Sequence, residues 1–360
     1  MTWAAVNVKS AFMFSSFPKT RLEFEARFTK QEDCLDYLAK LRWPDGFVCP
    51  KCGHDRHWSA NRERYICTAC RHQTSVTAGT IFHKTRKPLA LWFRAIWYMT
   101  VQKHGSNALG LQRELGLGSY HTAWEWFHKL RQAMIRPDRD LLGGLVEVDE
   151  TYVGAPEPGK PGRGAADKAL VAVAVEDKGK QEGFGRIRLQ RIPDASGASL
   201  TGFAMANIAP GSLIRTDGWR GYSRLKDHGF DHQALVGGES EEKVGEGPLP
   251  LCHRVISLVK RVLLGAYQGA VHPEQLDRYL EEFTFRFNRR TARHRTLLIF
   301  RVLQNAVVHP PFPAKEIELG LRTYMRGRMR GGTKRATSEN HPTILPSAIP
   351  ALEGLGDIPF

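Results

Sequence analysis

Apolar and polar residues alternate over residues 145–153, in the middle of the chain, and this period of two predicts a β-strand. Alternation puts Glu147 and Asp149 on one face of the strand, and Val146, Val148 and Glu150 on the other. Carboxylates in an otherwise apolar strand are costly to remove from water unless a ligand binds them, and a divalent metal ion is the obvious candidate. An edge strand with solvated acidic residues is the alternative interpretation.

Further apolar runs and helical stripes follow this strand. They predict strands over 170–175, 186–192, 212–216 and 233–236, and helices over 199–206, 219–228, 253–264, 273–290 and 297–308. This order of elements is that of a ribonuclease-H-like α/β domain, a mixed sheet flanked by helices. In that arrangement the first and fourth strands lie side by side, so Asp149 and Asp217 would meet at the centre of the sheet. Asp217 directly follows the fourth strand, at the edge where open α/β sheets bind ligands.

Two neighbouring carboxylates repel each other, so a site formed by Asp149 and Asp217 needs a cation. Hard oxygen ligands suit Mg²⁺ or Mn²⁺. Two such ions about 4 Å apart can activate an attacking water or 3′-hydroxyl and stabilise the leaving oxygen at a phosphodiester. The two aspartates therefore indicate phosphodiester chemistry, which requires that the chain also bind nucleic acid.

The pattern is helical in the segment before the central strand. Apolar residues recur at spacings of three and four from Leu89 to Met99, a second short helix covers residues 107–115, and Ser119 can cap a third helix. Three helices with a tight glycine turn before the third suggest a helix-turn-helix, and a plain helical spacer between two other domains is the alternative. The candidates for DNA contact on the third helix are Tyr120, His121, Lys129 and Arg131.

Two Cys-x-x-Cys pairs lie upstream of these helices, after a short amphipathic helix that begins near Thr29. Cys49 and Cys52 form one pair, Cys67 and Cys70 form the other, and 14 residues separate the pairs. Four thiolates at this spacing can close tetrahedrally on one structural Zn²⁺, with short strands between them, as in a zinc ribbon. The alternative is four small apolar side chains without a metal. The spacing favours zinc, although it does not say what the ribbon contacts.

Composition and charge indicate the type of partner. The chain of 360 residues has 52 Lys and Arg against 37 Asp and Glu, a formal net charge of +15 and an isoelectric point near 9.7. Such a balance favours a polyanionic partner, and nucleic acid is the usual one. We find no Lys/Arg-rich amphipathic helix for a membrane surface and no apolar run as long as a membrane span, so we expect a cytoplasmic protein. In a reducing compartment, paired cysteines argue for metal rather than disulfides.

These patterns predict five segments along the chain. They are a loosely ordered lead-in over residues 1–28, a zinc ribbon with its leading helix over 29–80, a helix-turn-helix-like domain over 81–136, a ribonuclease-H-like domain over 141–310 and a disordered tail over 331–360. The tail is rich in glycine, proline and serine and has too few apolar residues to form a core. The predicted fold class is therefore α/β, preceded by two small DNA-binding candidates.

The combination of motifs resembles the bacterial insertion-sequence transposases of the ISXO type, which join an N-terminal zinc ribbon to a DDE catalytic domain of ribonuclease-H-like fold. The residues that carry the resemblance are the four cysteines, Glu147 to Gly154, Thr216-Asp217-Gly218, Leu258 to Arg261, Tyr279 to Phe283 and Phe285 to Arg289. The resemblance implies DNA transposition by strand cleavage and strand transfer, with Asp149 and Asp217 as ligands of Mg²⁺ or Mn²⁺. The implied partners are double-stranded DNA, as terminal repeats of the element and as target, and further copies of the chain bound to those ends. It also implies a location on the bacterial nucleoid.

The sequence departs from this family at the third acidic position. The family usually has Glu there, and in some members Asn or His, seven residues before the Lys of a Lys-Arg pair. Here that residue is His253, two helical turns before Lys260, so both side chains share a helix face. The resemblance implies His253 as third metal ligand, Lys260 as a phosphate contact and Arg261 as a further DNA contact. A core or DNA-contacting histidine and an exposed structural lysine are the alternatives. The loop carboxylates that could supply the third ligand instead are Glu241, Glu242 and Glu246.

An active DDE-type transposase is the leading hypothesis from the sequence. The histidine at the third position motivates a second one, a catalytically inactive zinc-ribbon DNA-binding protein derived from a transposase. A third hypothesis is a metal-dependent nuclease that cannot rejoin DNA ends.

Overall fold

The computed structural model describes most of the chain between residues 16 and 318. The described residues are 16–61, 63–102, 105–135, 139–154, 168–235, 248–267, 271 and 273–318. The tail predicted over 331–360 lies outside them. The chain divides into two compact units, Met1–Asp138 with Ala292–Phe360 and Arg139–Thr291. No helix in the described ranges is long and apolar enough to cross a membrane.

The first unit begins with two helices, continues with a small sheet and then forms three more helices. The elements are α1 (Arg21–Arg27), α2 (Gln31–Arg42), β1 (His57–Asn61), β2 (Arg64–Cys67), β3 (Gln73–Thr74), α3 (Leu89–Val101), α4 (Ala108–Leu115) and α5 (Tyr120–Gln132). Strands β1, β2 and β3 are neighbours in that order, and both pairs are antiparallel. This is the short-stranded sheet that the cysteine spacing predicts.

Residues 16–28, which precede α2, are more ordered than the sequence analysis expected. That analysis predicted a loosely ordered lead-in over residues 1–28, but α1 lies in this segment, and Phe17, Phe24 and Phe28 are at most 3% exposed. The ring of Phe24 lies 5.0 Å from that of Phe28 and 4.8 Å from that of Trp97 on α3, measured between centroids. Residues 16–28 are ordered because their aromatic rings pack into the core of the unit, and a local sequence pattern does not reveal such packing.

Helices α4 and α5 are joined by the tight turn that the glycines predict. The Asn107 side chain accepts a hydrogen bond from the backbone N–H of Gly110 at the start of α4. Gly116, with φ of +59°, ends α4 in the left-handed conformation that glycine adopts without strain. Ser119 then caps α5 by accepting a hydrogen bond from the backbone N–H of His121. The result is the helix-turn-helix-like arrangement expected from the sequence.

The second unit is built on a mixed sheet. Its elements are β4 (Leu145–Val153), β5 (Ala169–Asp177), the short helix α6 (Gly179–Glu182), β6 (Phe184–Ile192), α7 (Gly197–Asn207), β7 (Leu213–Thr216), the 3₁₀ turns Arg220–Tyr222 and Leu225–His228, β8 (Asp231–Ala234), α8 (Pro250–Gly265) and α9 (Pro273–Phe287). The strand order is β6-β5-β4-β7-β8. β7 runs parallel to β4 and β8, and β5 runs antiparallel to β4 and β6. β4 is therefore central and lies beside β7, which confirms the ribonuclease-H-like fold.

An apolar layer covers each face of this sheet. On one face, Val146 and Val148 of β4 pack with Leu200 and Phe203 of α7. On the other face, valines of β5 pack with apolar side chains of α8 and α9. Because side chains of a strand alternate between faces, the carboxylate of Glu147, between the two valines, points toward α8. The sheet thus directs the acidic residues of β4 to a helix that is distant in sequence.

The helix predicted at the end of the ribonuclease-H-like domain belongs to the first unit. The sequence analysis extended that domain over 141–310, but α10 (Thr296–Ala306) lies in the segment that follows Ala292 and packs against α2 and α3. Leu298 and Ile299 are fully buried there. A helix that is apolar on nearly all sides needs a core around it, and its sequence does not say which of two cores provides it.

Candidate functional site

Asp149 and Asp217 lie at corresponding positions of two adjacent strands. In the parallel pair β4–β7, each residue is opposite the one 68 positions further along the chain, as Leu145 is opposite Leu213. Asp149 and Asp217 are also 68 positions apart, and Asp217 directly follows β7. The register therefore makes the two residues neighbours at the carboxyl end of β7.

The Asp149 carboxylate is largely enclosed. Its Oδ1 atom accepts a hydrogen bond from the backbone N–H of Glu150 at 2.8 Å, and its Oδ2 atom lies 3.5 Å from Nε2 of His253 on α8. Burial, and after it the negative charge of Asp217, raises the pKa of Asp149 above its ordinary value. The hydrogen bond from Glu150 and the charges of His253 and Lys260 act in the opposite direction. The site therefore contains two carboxylates that oppose each other's ionisation and basic groups that favour it.

Asp217 is exposed at the start of the turn after β7. Its Oδ1 atom accepts a hydrogen bond of 2.9 Å from the backbone N–H of Trp219. Gly218 has φ of +82°, which lets the chain turn directly after the strand. The turn fixes the direction of the carboxylate and leaves it accessible from solvent, as a ligand for a cation must be.

The solvent-facing side of α8 is basic. His253, Arg254, Lys260 and Arg261 are exposed, and none of the residues of α8 is Asp or Glu. His253 keeps 49% of its side-chain surface exposed although its ring faces Asp149. The structure therefore brings Asp149, His253 and the basic stripe of α8 together in the second unit. The loop carboxylates considered as alternatives, Glu241, Glu242 and Glu246, lie outside the described residues.

Glu147 has a different environment from Asp149, although both face α8. Glu147 is 3% exposed, and its Oε2 atom accepts a hydrogen bond of 2.9 Å from the backbone N–H of Cys252 in the first turn of α8. Burial raises the pKa of Glu147 to about 7, against the effect of hydrogen bonds from the backbone of Cys252 and Leu251. Glu147 thus holds the N-terminus of the helix that carries His253. The sequence indicated only that Glu147 shares a strand face with Asp149, and it did not indicate the contact with α8.

Glu150 points to the opposite face of β4 and contacts Tyr222 there. The Tyr222 hydroxyl donates a hydrogen bond of 2.6 Å to Oε2 of Glu150, and Tyr222 is 1% exposed. Burial, together with the negative charge of Glu150, raises the pKa of Tyr222 well above its ordinary value, so the hydroxyl keeps its proton. This bond joins β4 to the 3₁₀ turn that follows Asp217. Sequence reasoning missed Tyr222 because no local pattern signals a contact between residues 72 positions apart.

The four paired cysteines converge on one point in the first unit. Their sulfur atoms all lie within 4.8 Å of one another, with 3.6 Å between Cys49 and Cys70 and 3.6 Å between Cys52 and Cys67. Sulfur atoms bound tetrahedrally to zinc at about 2.3 Å are about 3.8 Å apart, so the cluster fits a structural Zn²⁺. This is the arrangement that the cysteine spacing predicts.

The four residues predicted to contact DNA from α5 have different surroundings. Tyr120 is 52% exposed. The ring of His121 lies between two carboxylates, with Nδ1 3.4 Å from Glu125 and Nε2 3.1 Å from Glu318. Lys129 Nζ is 3.7 Å from the same Glu125. Arg131 is 1% exposed, and its guanidinium lies over the ring of Phe127. It therefore packs inside the unit, where a DNA phosphate cannot reach it.

Two protein-family models match the chain. Residues 141–288 match the ISXO2-like transposase domain, and residues 29–73 match the transposase zinc-ribbon domain. An uncharacterized protein in transposable element ISH50 of Halobacterium salinarum is 28% identical in an alignment of 287 residues that covers 72% of this chain and 91% of the relative. The first match includes Asp149, Asp217 and His253, and the second includes the four paired cysteines.

The fold, the cysteine cluster and the comparisons together define a transposase in which a zinc ribbon precedes a ribonuclease-H-like domain in the sequence. The chain carries sequences that match an ISXO2-like transposase domain and a transposase zinc-ribbon domain, and the resemblance drawn from its motifs is confirmed. The two matched domains imply a DNA-processing protein that binds DNA, and the zinc-ribbon match with the four-cysteine cluster supports structural zinc.

Proposed function

We propose that this transposase cleaves DNA strands at the ends of an insertion sequence and joins them to target DNA, with Asp149 and Asp217 as ligands of the catalytic metal ions. The observation that supports the proposal is the β4–β7 register, whose continuation beyond Glu147 and Arg215 makes these two aspartates neighbours at the carboxyl end of β7. The family of the chain and its net charge of +15 support DNA as the substrate.

Mg²⁺ or Mn²⁺ fits the groups that the site offers. Asp149 and Asp217 provide hard oxygen ligands, and a cation between them would relieve their mutual repulsion. A bound ion of this type would activate the attacking water or 3′-hydroxyl and stabilise the leaving oxygen. The chain contributes fixed ligand directions, because backbone N–H groups of Glu150 and Trp219 hold one oxygen of each carboxylate.

His253 is the third ligand in this proposal. Its Nε2 atom lies 3.5 Å from Oδ2 of Asp149. A neutral imidazole brings no negative charge and suits Mg²⁺ less well than a carboxylate does, so the site should favour Mn²⁺.

DNA contacts are proposed for the basic face of α8 and for the start of α5. Lys260 and Arg261 are exposed on the same helix as His253 and would bind phosphates beside the scissile bond. In the first unit, the residues that would contact the duplex are Tyr120, His121 and Lys129 of α5. Joining two element ends in one reaction also requires two bound copies of the chain, and we propose a homo-oligomer on the DNA ends.

A cleavage and strand-transfer assay on the element's own ends tests this function. Asp149→Asn and Asp217→Asn should each lower strand cleavage by roughly a thousandfold or more, because each variant removes a charged ligand, while DNA binding survives. Asp227→Asn is the matched control, since Asp227 is an exposed aspartate of the same unit that pairs with Arg224. Full cleavage by both site variants would refute the proposal.

The histidine at position 253 supports a second candidate, a catalytically inactive DNA-binding protein derived from a transposase. Imidazole in place of a carboxylate lowers the negative charge of the site and so its affinity for metal ions. Metal-dependent nicking of duplex DNA by the purified protein would exclude this candidate. Cleavage without any strand-transfer product would instead indicate a nuclease that cannot rejoin ends.

A further inference from the structure

The two Cys-x-x-Cys turns of the zinc ribbon have the same backbone geometry. The backbone N–H of Gly53 donates to the carbonyl of Cys49 at 2.9 Å, and that of Arg71 donates to the carbonyl of Cys67 at 3.1 Å. The φ angles of Gly53 and Arg71 are +74° and +58°. The turn therefore requires the left-handed conformation at the residue that follows its second cysteine.

An arginine stands where this conformation favours glycine. Glycine fits the first turn without strain, whereas a residue with a Cβ atom is strained there. Among the described residues other than glycine, only Arg71 and Lys84 have a positive φ. Strain that glycine would avoid suggests that the arginine side chain has a use.

The Arg71 side chain lies on an exposed aromatic ring. Its guanidinium carbon is 4.3 Å from the centroid of the Trp58 ring, and Trp58 is 46% exposed. An arginine over a tryptophan is a cation–π pair, and burial does not explain either residue because both face solvent. The pair therefore holds a guanidinium and an indole in fixed positions on the surface of the ribbon.

Trp58 and Arg71 belong to one face of the β1–β2–β3 sheet, which we call the ribbon face. Its residues are Trp58, Arg64, Ile66, Arg71 and Gln73. Trp58 pairs with Ile66, and Ile66 pairs with Gln73, so the three share a row across the sheet. Arg64 is two residues from Ile66 on β2 and points the same way. The opposite face is occupied, since Tyr65 lies against Trp43 and Phe47 at centroid distances of 5.0 and 5.7 Å.

We propose that the ribbon face binds the backbone of double-stranded DNA, with Arg64 and Arg71 on phosphates and Trp58 against a deoxyribose. The inference rests on the proposed function and assigns the surface through which the ribbon takes part in it. DNA fits better than a protein partner because the face has two guanidiniums and none of its five residues is acidic. An aromatic side chain in contact with a guanidinium is typical of nucleic-acid surfaces.

Arg71→Gly in the full-length protein is the decisive variant. It removes the guanidinium and gives the turn the residue that Gly53 supplies in the other one, so zinc content and melting temperature should not fall. Affinity for a labelled duplex that carries an element end, and for a scrambled duplex of equal length, should each fall by roughly fivefold to tenfold. The salt slope of binding should decrease by about one. Trp58→Ala should weaken binding to both duplexes similarly.

Lys84→Gly is the matched control for Arg71→Gly. It removes one positive charge and relieves one positive φ at an exposed residue between β3 and α3, outside the ribbon face. Its affinity for both duplexes should stay within about twofold of the unmodified protein.

Unchanged binding by Arg71→Gly, or an equal loss in Lys84→Gly, would overturn the inference and leave the proposed function standing. Unchanged binding together with loss of self-association in sedimentation would assign the ribbon face to a second copy of the chain and would also overturn it. Failure of the unmodified protein to bind either duplex would refute the proposed function itself.

Discussion

Glu147 and Cys252 are joined by a hydrogen bond of 2.9 Å between a buried carboxylate of β4 and a backbone N–H at the start of α8. The first residue stands two positions before Asp149 and the second stands next to His253. The bond therefore sets the distance between the strand that carries one metal-ligand candidate and the helix that carries another. A carboxylate at a helix N-terminus also interacts favourably with the helix dipole.

Loss of this bond should affect both stability and cleavage. Glu147→Ala should lower the free energy of unfolding by about 1–3 kcal/mol because it leaves a buried N–H without its acceptor, and it should slow cleavage because His253 is no longer held. Glu147→Gln should retain much of both properties, since its amide oxygen can accept the same bond. Urea unfolding and cleavage rates measure the effects, with the exposed Glu182→Ala as control. Equal stability of Glu147→Ala and the unmodified protein would contradict this role.

The choice of metal should depend on residue 253. His253→Glu should raise cleavage with Mg²⁺ relative to Mn²⁺, because a carboxylate suits the harder ion better. His253→Ala should lower cleavage with either ion by about tenfold or more. Arg254→Ala is the control, since it removes an exposed side chain of the same helix and should leave the ratio between the two ions unchanged. If His253→Ala cleaves normally with both ions, His253 is not a ligand.

The hydrogen bond between Tyr222 and Glu150 should make the effects of substitutions at these two positions on the free energy of unfolding non-additive. Tyr222→Phe should lower the free energy of unfolding by about 1–2 kcal/mol, because the hydroxyl is lost and the Glu150 carboxylate loses a donor. Tyr222→Phe combined with Glu150→Gln should destabilise less than the two single effects added together. Chemical unfolding of the four proteins of this cycle gives the coupling energy, and strict additivity would show that the bond contributes nothing.

The loss of folding stability at acidic pH should depend on Glu176. This residue is 1% exposed and accepts hydrogen bonds from Arg186 and from the backbone of Gly143. Burial opposes its ionisation, but these bonds outweigh burial and hold the pKa of Glu176 below its ordinary value of 4.5. A lowered pKa in the folded state gives stability that is present above the unfolded pKa and lost as pH falls through the folded pKa.

Glu176→Gln should therefore flatten the decline of stability below about pH 4.5. Thermal melting of the second unit between pH 3 and pH 7 measures the decline. Glu182→Gln, a change at an exposed position of the same unit, should leave the profile as it is. If the melting temperature of Glu176→Gln falls with decreasing pH as steeply as that of the unmodified protein, other groups account for the loss of stability in acid.

Zinc should be necessary for the order of the ribbon. Elemental analysis should find about one zinc per chain, and Cys52→Ser should lower that content and the melting temperature of the first unit. Cys34→Ala is the control, because Cys34 is a buried cysteine outside the cluster and its loss should leave the zinc content unchanged. A full zinc content in Cys52→Ser would show that this thiolate is not needed for binding.

The sequence by itself determined the features that depend on local spacing. Two Cys-x-x-Cys pairs are sufficient to predict a zinc ribbon, because tetrahedral zinc needs four thiolates that short turns can bring together. Alternation along β4 separates Glu147 and Asp149 from Glu150, because side chains of a strand point to opposite faces in turn. The order of strands and helices predicted that β4 and β7 are neighbours, since few topologies accommodate it.

Tertiary structure alone decided which side chains are used for packing and which remain available. Arg131 and Lys129 are both basic residues of α5 in the sequence, yet Arg131 is buried against Phe127 while Lys129 pairs with Glu125. Glu147 and Asp149 are equivalent in the alternating pattern, and only the position of α8 gives one a helix N-terminus and the other an imidazole. Burial and contacts between distant residues depend on how whole elements pack, and the period of a sequence carries no information about that packing.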